Sequence, residues 1–475
     1  MWLGIDIGTS GVKSVILGEI GSVLAQSVEP LSVQRPHPLW SEQDPAVWWD
    51  ATKASILALP ADLRAGIRGL GLSGQMHGAV VLSASDEVLR PAILWNDGRS
   101  AAQGTRLDAL ARKQTGNLAM PGFTAPKLAW LRDNEPQVFA SVRKVLLPKD
   151  YIRLILTGDK VSDMSDASGT LWLDIAHRRW SPEMLDAVGL DESHMPSLGE
   201  GSETSGMLRQ SIADELGLPI VAVAGGGGDQ AAGAIGAGVT EPGEAFLSLG
   251  TSGVVFAAGK QFEPDPARGV HAFCHALPGR WHTMSVMLSA AACLDWVSRL
   301  TGFEDVASAL AAAESSEVAR SDLPIFLPYL SGERTPHNDP TAKGTFFNLT
   351  HGTGPAELVR SVLEGVAFGL RDGLDTMTSR PAELSVIGGG ARSEYWAQIL
   401  ADVLQIPLIY RDGSSVGPAS GAARLARLAV DQEPVAEVCT QPDILAEVTP
   451  QSNDEQRLAL FRSLYPTLKS SFGDI

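Results

Sequence analysis

The sequence holds little cysteine. Cys274, Cys293 and Cys439 are its only three in 475 residues, and they lie far apart. No C-x-x-C occurs, so no disulfide framework is implied, and a reducing cytoplasm suits the chain. Long apolar runs are missing too. No stretch of about 18 apolar residues occurs, which excludes a membrane-spanning helix. The first residues carry no basic segment, and Asp6 interrupts their apolar start, so no secretory signal is expected. Basic charge is in deficit: 37 Lys and Arg face 55 Asp and Glu, for a net charge of -18. Nucleic acid and anionic membranes both demand a basic face, so neither is expected as a partner. Any anionic ligand must be held by local groups against this overall field. No G-x-x-x-x-G-K-[ST] loop occurs, and no H-R-D or D-F-G set, which argues against P-loop and protein-kinase chemistry.

What is present is an apolar content of 44 %, enough for a sizeable core, and a length that suits two to three domains of ~100–200 residues. "IDIGTSGVKSVIL" (5–17) and "FLSLGTSGVVFAA" (246–258) each place a Gly-Thr-Ser-Gly turn between two apolar runs. Both read as hairpins. A shift of 242 lays Gly8 on Gly250, Thr9 on Thr251, Ser10 on Ser252 and Gly11 on Gly253. Recurrence with matching flanks implies an internal duplication. Glycine permits positive φ angles that aim successive N–H groups into one concavity, and the hydroxyls add donors, so the turn suits phosphate oxygens. A plain hairpin is the alternative for one copy alone. Two copies facing across a cleft would grip a polyphosphate from both sides. Only the first copy carries Asp6 and Lys13, where the second has Ser248 and Val255. Asp6 is therefore the candidate for Mg²⁺, directly or through water, and Lys13 for a phosphate.

Elsewhere the pattern is α/β. "DPAVWWDATKASILAL" opens a helix with Asp44 as cap and Pro45 in its first turn. Helical patterns lie near 100–114 and 127–134, and strand-like runs at 79–82 and 92–94. Residues 220–238 read as strand, glycines, then helix. A long amphipathic helix runs from Leu358 to Leu374. Residues 384–410 repeat the strand, glycine turn, helix, strand order. The chain thus divides into 1–242, 243–432 and a tail at 433–475 ending in a helix capped by "SNDE".

Asp229 follows four glycines at a helix start, where the helix dipole keeps a carboxylate ionised. It is either an N-cap or a general base. "GLGLSG" (69–74) matches G-x-G-x-x-G, but no phosphate-capping helix follows it. In "WNDGR" (95–99), Trp95 offers a flat face to sugar C–H groups, and Asn96, Asp97 and Arg99 offer hydrogen bonds to hydroxyls; a loop with a helix cap is the alternative. "HAFCH" (271–275) is a poor zinc site, since His271 and Cys274 point to opposite faces of a strand. Asp163 and Asp166 are expected to shape a polar loop.

"GIDIGTSGVKSVI" (4–16) and "LSLGTSG" (247–253), with "GFTAPKLAWLRDN" (122–134), "GGGGDQAAGAIG" (225–236) and "GGGARSEYWAQILADVLQIPL" (388–408), make the chain resemble the FGGY carbohydrate kinases of the actin and sugar-kinase superfamily. The resemblance covers nearly the whole chain. It implies two ribonuclease-H-like α/β domains closing around Mg-ATP and a sugar or polyol, with Asp229 as the catalytic base and as a neighbour of the metal beside Asp6. It places Thr9, Ser10, Lys13, Gly250, Thr251 and Ser252 around phosphates and Gly389, Gly390 and Ala391 near the adenine. "SGQMHGA", "ILWNDGR", "RPHPLWSEQDP", "LPKDY", "SDMSDASGT" and "LPYLSGERTPHNDP" resemble the branch that phosphorylates D-xylulose. That implies sugar contacts from Met76, His77, Trp95, Asn96, Asp229 and Gln230. At 230 the branch often has asparagine, which leaves the contact of Gln230 open. The expectation is ATP-dependent phosphorylation of D-xylulose in the cytoplasm. A kinase of another ketose or polyol, such as ribulose or glycerol, and a nucleotide-switched protein without sugar chemistry are the alternatives. Nothing in the sequence sets the oligomeric state, and a homodimer is compatible with it.

Overall fold

The computed structural model describes residues 1–378, 380–388, 393–412 and 417–473. Apolar alternation in the N-terminal third builds strands β1 (Trp2–Ile7), β2 (Gly11–Leu17), β3 (Val23–Pro30) and β4 (Gly69–Gly74), joined later by β5 (Thr204–Met207), β6 (Ala222–Ala224) and β7 (Gly227–Gly228). Across this sheet the order is β5-β6-β4-β1-β2-β3, with β7 pairing β4. The first three strands form an antiparallel meander, whereas β4 and β6 run parallel to β1. The G-x-G-x-x-G match is thus a buried central strand, which accounts for its glycines without a dinucleotide.

A second sheet repeats the plan. Strands β8 (Ala245–Leu249), β9 (Gly253–Gly259), β10 (His271–Cys274), β11 (Trp281–Met287), β12 (Leu384–Ile387), β13 (Leu408–Arg411) and β14 (Ile444–Val448) lie in the order β10-β11-β9-β8-β12-β13-β14. Here β8, β9 and β11 form the meander, and β12 and β13 run parallel to β8. The two sheets share a central plan, an antiparallel meander flanked by two parallel strands, as the expected duplication requires, and differ at their edges, where β10 is added and β14 follows β13 although β5 precedes β6. The tail expected to be helical also supplies the edge strand β14.

Helices α1 (Pro45–Leu57), α2 (Ala101–Thr115), α3 (Thr124–Asn134), α4 (Pro148–Thr157), α5 (Gln210–Leu216) and α6 (Asp229–Ala237) belong to the first half of the chain. Asp44 caps α1 by accepting the Ala46 N–H, as the sequence suggests. The second half holds α7 (Ala291–Leu300), α8 (Pro355–Asp375), α9 (Glu394–Leu404), α10 (Pro418–Asp431) and α11 (Glu455–Phe472), the last capped by Asp454.

Period-two alternation sends Leu3, Ile5 and Ile7 to one face of the first sheet, where Trp48 and Ile56 of α1, Ile152 and Leu156 of α4 and Leu216 of α5 cover them. Trp2, Gly4 and Asp6 share the opposite face. There the sheet is covered by α10, through Ala419, Ala423 and Ala426. This helix lies inside the 243–432 span, so that span reaches across to cover the first sheet. In turn α6 sends Ala234 and Ala237 toward Phe246 and Phe256 of the second sheet. The two helices thus cross-brace the lobes. They also pack on each other: a Cβ on Gly421 would lie 1.7 Å from the Ala232 carbonyl oxygen, and one on Gly4 1.8 Å from that of Ala419. Only glycine permits such approach. Arg424 of α10 donates to the carbonyls of Ile235 and Gly236, placing a cation on the C-terminus of α6.

Candidate active site

Parallel pairing sets the site. Asp6 of β1 lies opposite Ser73 of β4, and Ser73 lies opposite Gly227 of β7. The chain then turns into α6, whose first residue is Asp229. Because α10 covers the face that Trp2 and Gly4 share, Asp6 stands where that cover ends. The two carboxylates feel each other. Burial, followed by the charge of Asp6, pushes Asp229 up to about 7. Burial pushes Asp6 up to about 6, against the opposing pull of Ser73 and of Lys13, its cross-strand neighbour. The sequence suggested that a helix N-terminus keeps Asp229 ionised; desolvation outweighs the dipole here. Gly228, not Asp229, is the N-cap, and Asp229 Oδ1 accepts the Gln230 N–H at 2.8 Å. Asp6 Oδ1 is buried without a hydrogen-bond partner among the described residues.

The two Gly-Thr-Ser-Gly turns share a sequence but not a register. In the first, Ile7 pairs Val12 and the Gly8 N–H reaches the Gly11 carbonyl at 3.0 Å. In the second, Leu249 pairs Gly253 and the Gly250 N–H reaches the Ser252 carbonyl, also at 3.0 Å. The second turn closes one residue earlier, so Val254 rather than Val255 faces Ser248. None of the four turn glycines has positive φ, contrary to the expectation of left-handed geometry. Close approach explains Gly8 instead, where a Cβ would meet the Gly11 carbonyl oxygen at 2.9 Å. Ser10, Thr251 and Ser252 are exposed, with Thr9 and Gly250 partly so. The second turn rests on α7, since the Ala290 and Ala291 N–H groups donate to the carbonyls of Thr251 and Gly250.

The first turn is held by an amide relay that pattern reading missed. Thr9 Oγ1 donates to Gln75 Oε1 at 3.1 Å, Gln75 Nε2 donates to Gln43 Oε1, and Gln43 Nε2 returns to the Thr9 carbonyl at 2.8 Å. Gln75 directly follows an apolar strand, but Gln43 lies in the polar run Ser41–Asp44, so no local signal linked the two. Trp95 Nε1 donates to Thr9 Oγ1 at 2.9 Å, so Trp95 ties the acceptor side to the turn while its ring stays exposed. Asn96 is exposed. Asp97 and Arg99 do not face a ligand. Asp97 accepts from Ser41 N–H and Arg99, while Arg99 pairs with Glu42 and lies 3.6 Å over the Trp40 ring. Two opposite charges two residues apart are more stable paired in the interior than divided.

Met76 and His77 sit against the glycines. A Cβ on Gly228 would lie 2.9 Å from Met76 Cγ, and one on Gly169 2.5 Å from His77 Nδ1. His77 has φ 69°, unusual for a side chain that is not Gly, Asn or Asp. Its carbonyl is clamped by Lys127 Nζ at 2.8 Å and Thr124 Oγ1 at 3.1 Å, both from α3. The Nδ1 lies 2.7 Å from the Gly169 carbonyl and must donate to it. Burial pushes His77 down to about 3, so the ring is neutral and its Nε2 is an acceptor.

Behind the glycine run lies a closed charge cluster. Lys149 contacts Asp150, Asp163 and Asp166, all fully buried, so these aspartates do not shape a polar loop. Asp163 caps the short helix Met164–Ser168 and binds the Ser165 hydroxyl, which accepts the Gly228 N–H at 3.1 Å. Arg153 donates to the carbonyls of Ala224 and Gly225. The backbone that carries Asp229 is thus held from behind.

Across the second sheet a cavity of about 700 Å³ opens at β12–β14, lined by Ser248, Ile387, Gly388, Ser393, Tyr410 and Arg411 among others. Its size suits a small ligand. Gly388 and Ser393 flank Gly389, Gly390 and Ala391, which lie outside the described residues.

Residues 1–236 match the N-terminal domain, and residues 245–430 the C-terminal domain, of the FGGY family of carbohydrate kinases. The chain belongs to that family. This carbohydrate kinase therefore uses ATP and takes a small sugar as its substrate. It is 56 % identical to xylulose kinases of Klebsiella pneumoniae, over 440 residues, and of Escherichia coli (strain K12), over 442 residues; each match covers 91 % of both chains. Among solved structures, a "xyloylose kinase" from Brucella ovis is 47 % identical with a TM-score of 0.94, and a xylulose kinase from Rhodospirillum rubrum is 29 % identical with a TM-score of 0.91. Each covers 99 % of both chains. No helix of the described kinase is long and apolar enough to cross a membrane.

Proposed function

We propose that this kinase transfers the γ-phosphoryl group of ATP to the primary hydroxyl of D-xylulose, giving D-xylulose 5-phosphate and ADP. The observation that carries the reading is Asp229, a half-open carboxylate at a helix start beside Asp6, Met76 and His77, in a chain 56 % identical to xylulose kinases. Asp229 orients the attacking hydroxyl and takes its proton. Phosphoryl transfer has a loose transition state, so the proton leaves late and positioning matters as much as basicity. A base with pKa near 7 is also matched to neutral operation. Neutral His77 accepts a sugar hydroxyl through Nε2, and Met76 presents an apolar wall. The exposed turn donors hold phosphates, and the cavity at β12–β14 takes the base and ribose. Lobe closure excludes water, so sugar outcompetes hydrolysis.

Mg²⁺ fits the donor set. Two carboxylates, both pushed up by burial, with one orphaned buried oxygen, make a hard, anionic site. Asp6 would hold the ion, directly or through water, with Asp229 beside it; the ion would neutralise charge on the phosphates. The three thiols are free and buried, which suits the cytoplasm.

The test is ADP release with D-xylulose, D-ribulose, gluconate, glycerol and no sugar. Preference for D-xylulose is expected. Equal release without sugar, or preference for another acceptor, overturns the assignment. Asp229→Ala should keep ATP binding and lower turnover ~10²–10⁴-fold; turnover near that of the unaltered enzyme removes Asp229 from the mechanism.

A further inference from the structure

"LPYLSGERTPHNDP" (327–340) contributes nothing to the site described so far, yet its backbone is fastened from several sides. Glu333 Oε1 accepts the Leu288 N–H at 3.0 Å and the Arg334 N–H at 2.7 Å. The Thr335 N–H donates to the Val286 carbonyl at 3.0 Å, and Thr335 Oγ1 accepts from Val286 N–H and donates to the Gly269 carbonyl. Glu333 and Asp339 exchange backbone bonds across the loop. Helix α11 closes the far side, where Tyr465 Oη donates to Asp339 Oδ2 at 2.9 Å and the Tyr465 ring stacks on His337. The position of residue 334 is therefore set by β11, by the segment before β10 and by the C-terminal helix together.

Its half-buried side chain departs from the pattern the buried arginines follow. Arg99, Arg153, Arg424 and Arg457 each end on carboxylates or carbonyls. The Arg334 guanidinium ends on no hydrogen bond or ion pair among the described residues, although burial lowers its hold on the proton. Glu333, its chain neighbour, spends one oxygen on two backbone N–H groups. The half-buried guanidinium, with no protein partner, keeps its donors open on the solvent side, and a ligand entering there supplies the partner.

Location says which ligand. The charge of Arg334 bears on His77 of the first lobe and on His271 of β10. Those two rings bracket Phe123, with centroids 4.5 and 5.7 Å from it. Val286 and Leu288 lie at the end of β11, whose Met287 pairs Gly253 of the second turn. Across the sheet, then, the cavity at β12–β14 lies on one side of that turn and Arg334 on the other. Arg334 is on the acceptor side. Gly228, which precedes Asp229, packs against Met76; His77 comes next, and the charge of Arg334 bears on it from the second lobe.

We infer that Arg334 reaches from the second lobe into the acceptor site and hydrogen-bonds the sugar at the end remote from the phosphorylated hydroxyl. On the reading under Proposed function, on which this rests, that end carries the C2 carbonyl and the C1 hydroxyl. A planar fork of N–H donors suits two such neighbouring oxygens. The residue sets substrate binding, and it makes sugar recognition a property of both lobes.

The experiment compares the full-length enzyme with Arg334→Met, which keeps the apolar stem, and Arg334→Lys. Steady-state ADP release is measured with D-xylulose and with 1-deoxy-D-xylulose, which lacks O1, alongside Tm. Arg334→Met should raise KM for D-xylulose ~10–100-fold, as loss of hydrogen bonds from a charged donor does, while KM for ATP shifts less than ~2-fold. Its preference for D-xylulose over the deoxy sugar should shrink, and Arg334→Lys should recover part of the loss. An unchanged KM for D-xylulose overturns the inference. So does a fall in kcat with KM unchanged, which would place Arg334 on the phosphoryl group, or an equal loss on both sugars accompanied by a lowered Tm. If the unaltered enzyme prefers another acceptor, that outcome fails the D-xylulose reading alone, and the same KM comparison with the preferred sugar decides Arg334.

Discussion

Replacing Asp229 with asparagine should make the protein more stable and less active, and the gain should depend on pH. Burial and the neighbouring charge of Asp6 raise this carboxyl from an ordinary 3.8 to about 7. The folded state thus holds the proton more tightly than the unfolded chain does. The stabilising contribution is complete below about pH 3.8 and is lost as pH rises through about 7. Each pH unit between those values is worth ~1.36 kcal/mol. Allowing for solvent on the cleft side, ionisation costs the folded state roughly 2–4 kcal/mol at pH 8. Asparagine keeps the shape and never ionises. Unfolding entropy of ~2.1 cal/mol/K per residue gives ~1 kcal/mol/K for this chain, so Tm should rise by ~2–4 °C at pH 8. The assay is a thermal melt of both proteins from pH 5 to pH 8, without nucleotide or Mg²⁺. The advantage should grow up to about pH 7 and then level off. A gain independent of pH, or no gain at pH 8, would refute the claim that the site stores an uncompensated charge. Turnover of the same variant should fall ~10²–10⁴-fold.

Asp6→Asn removes the like charge beside Asp229, so the acid limb of any residual kcat/KM profile should move to lower pH; a limb that stays put would separate the two carboxylates. The same variant should need more Mg²⁺ for half-maximal rate, read by metal titration. Lys149→Met leaves three buried carboxylates without the cation that contacts them all. Breaking such a cluster costs ~3–5 kcal/mol, so Tm should drop at pH 8 and recover partly at pH 5, where the carboxylates protonate more readily. Ser165→Ala strips the acceptor from the Gly228 N–H and should lower kcat ~10-fold with little change in KM for ATP; an unaltered kcat would mean that the backbone holds Asp229 without it.

Local signals carried a large part of this architecture. Period-two runs around GTSG marked both hairpins, Asp44 and Pro45 marked α1, and the strand, glycine and helix order placed Asp229 at the first residue of α6. All of these are written within about ten residues of one another, where backbone geometry and capping decide the outcome. The turns themselves misled in detail. A four-letter match cannot report that one hairpin closes a residue earlier, because register depends on which residues the neighbouring strands bury. "WNDGR" misled for a related reason: a sequence shows Asp97 and Arg99 as polar, but not Glu42, Ser41 and Trp40 waiting to consume them.

What the chain's own order of residues determined is the duplicated sheet, the paired turns and the carboxylate at a helix start, since each follows from short-range pattern and sterics. What only the tertiary structure decided is the electrical state of that carboxylate, the crossing of α6 and α10 between lobes, and the bearing of the Arg334 charge on His77. Those depend on groups brought together from about 180 to more than 400 positions apart. Desolvation and close packing are properties of the assembled surroundings, and no window of sequence contains them.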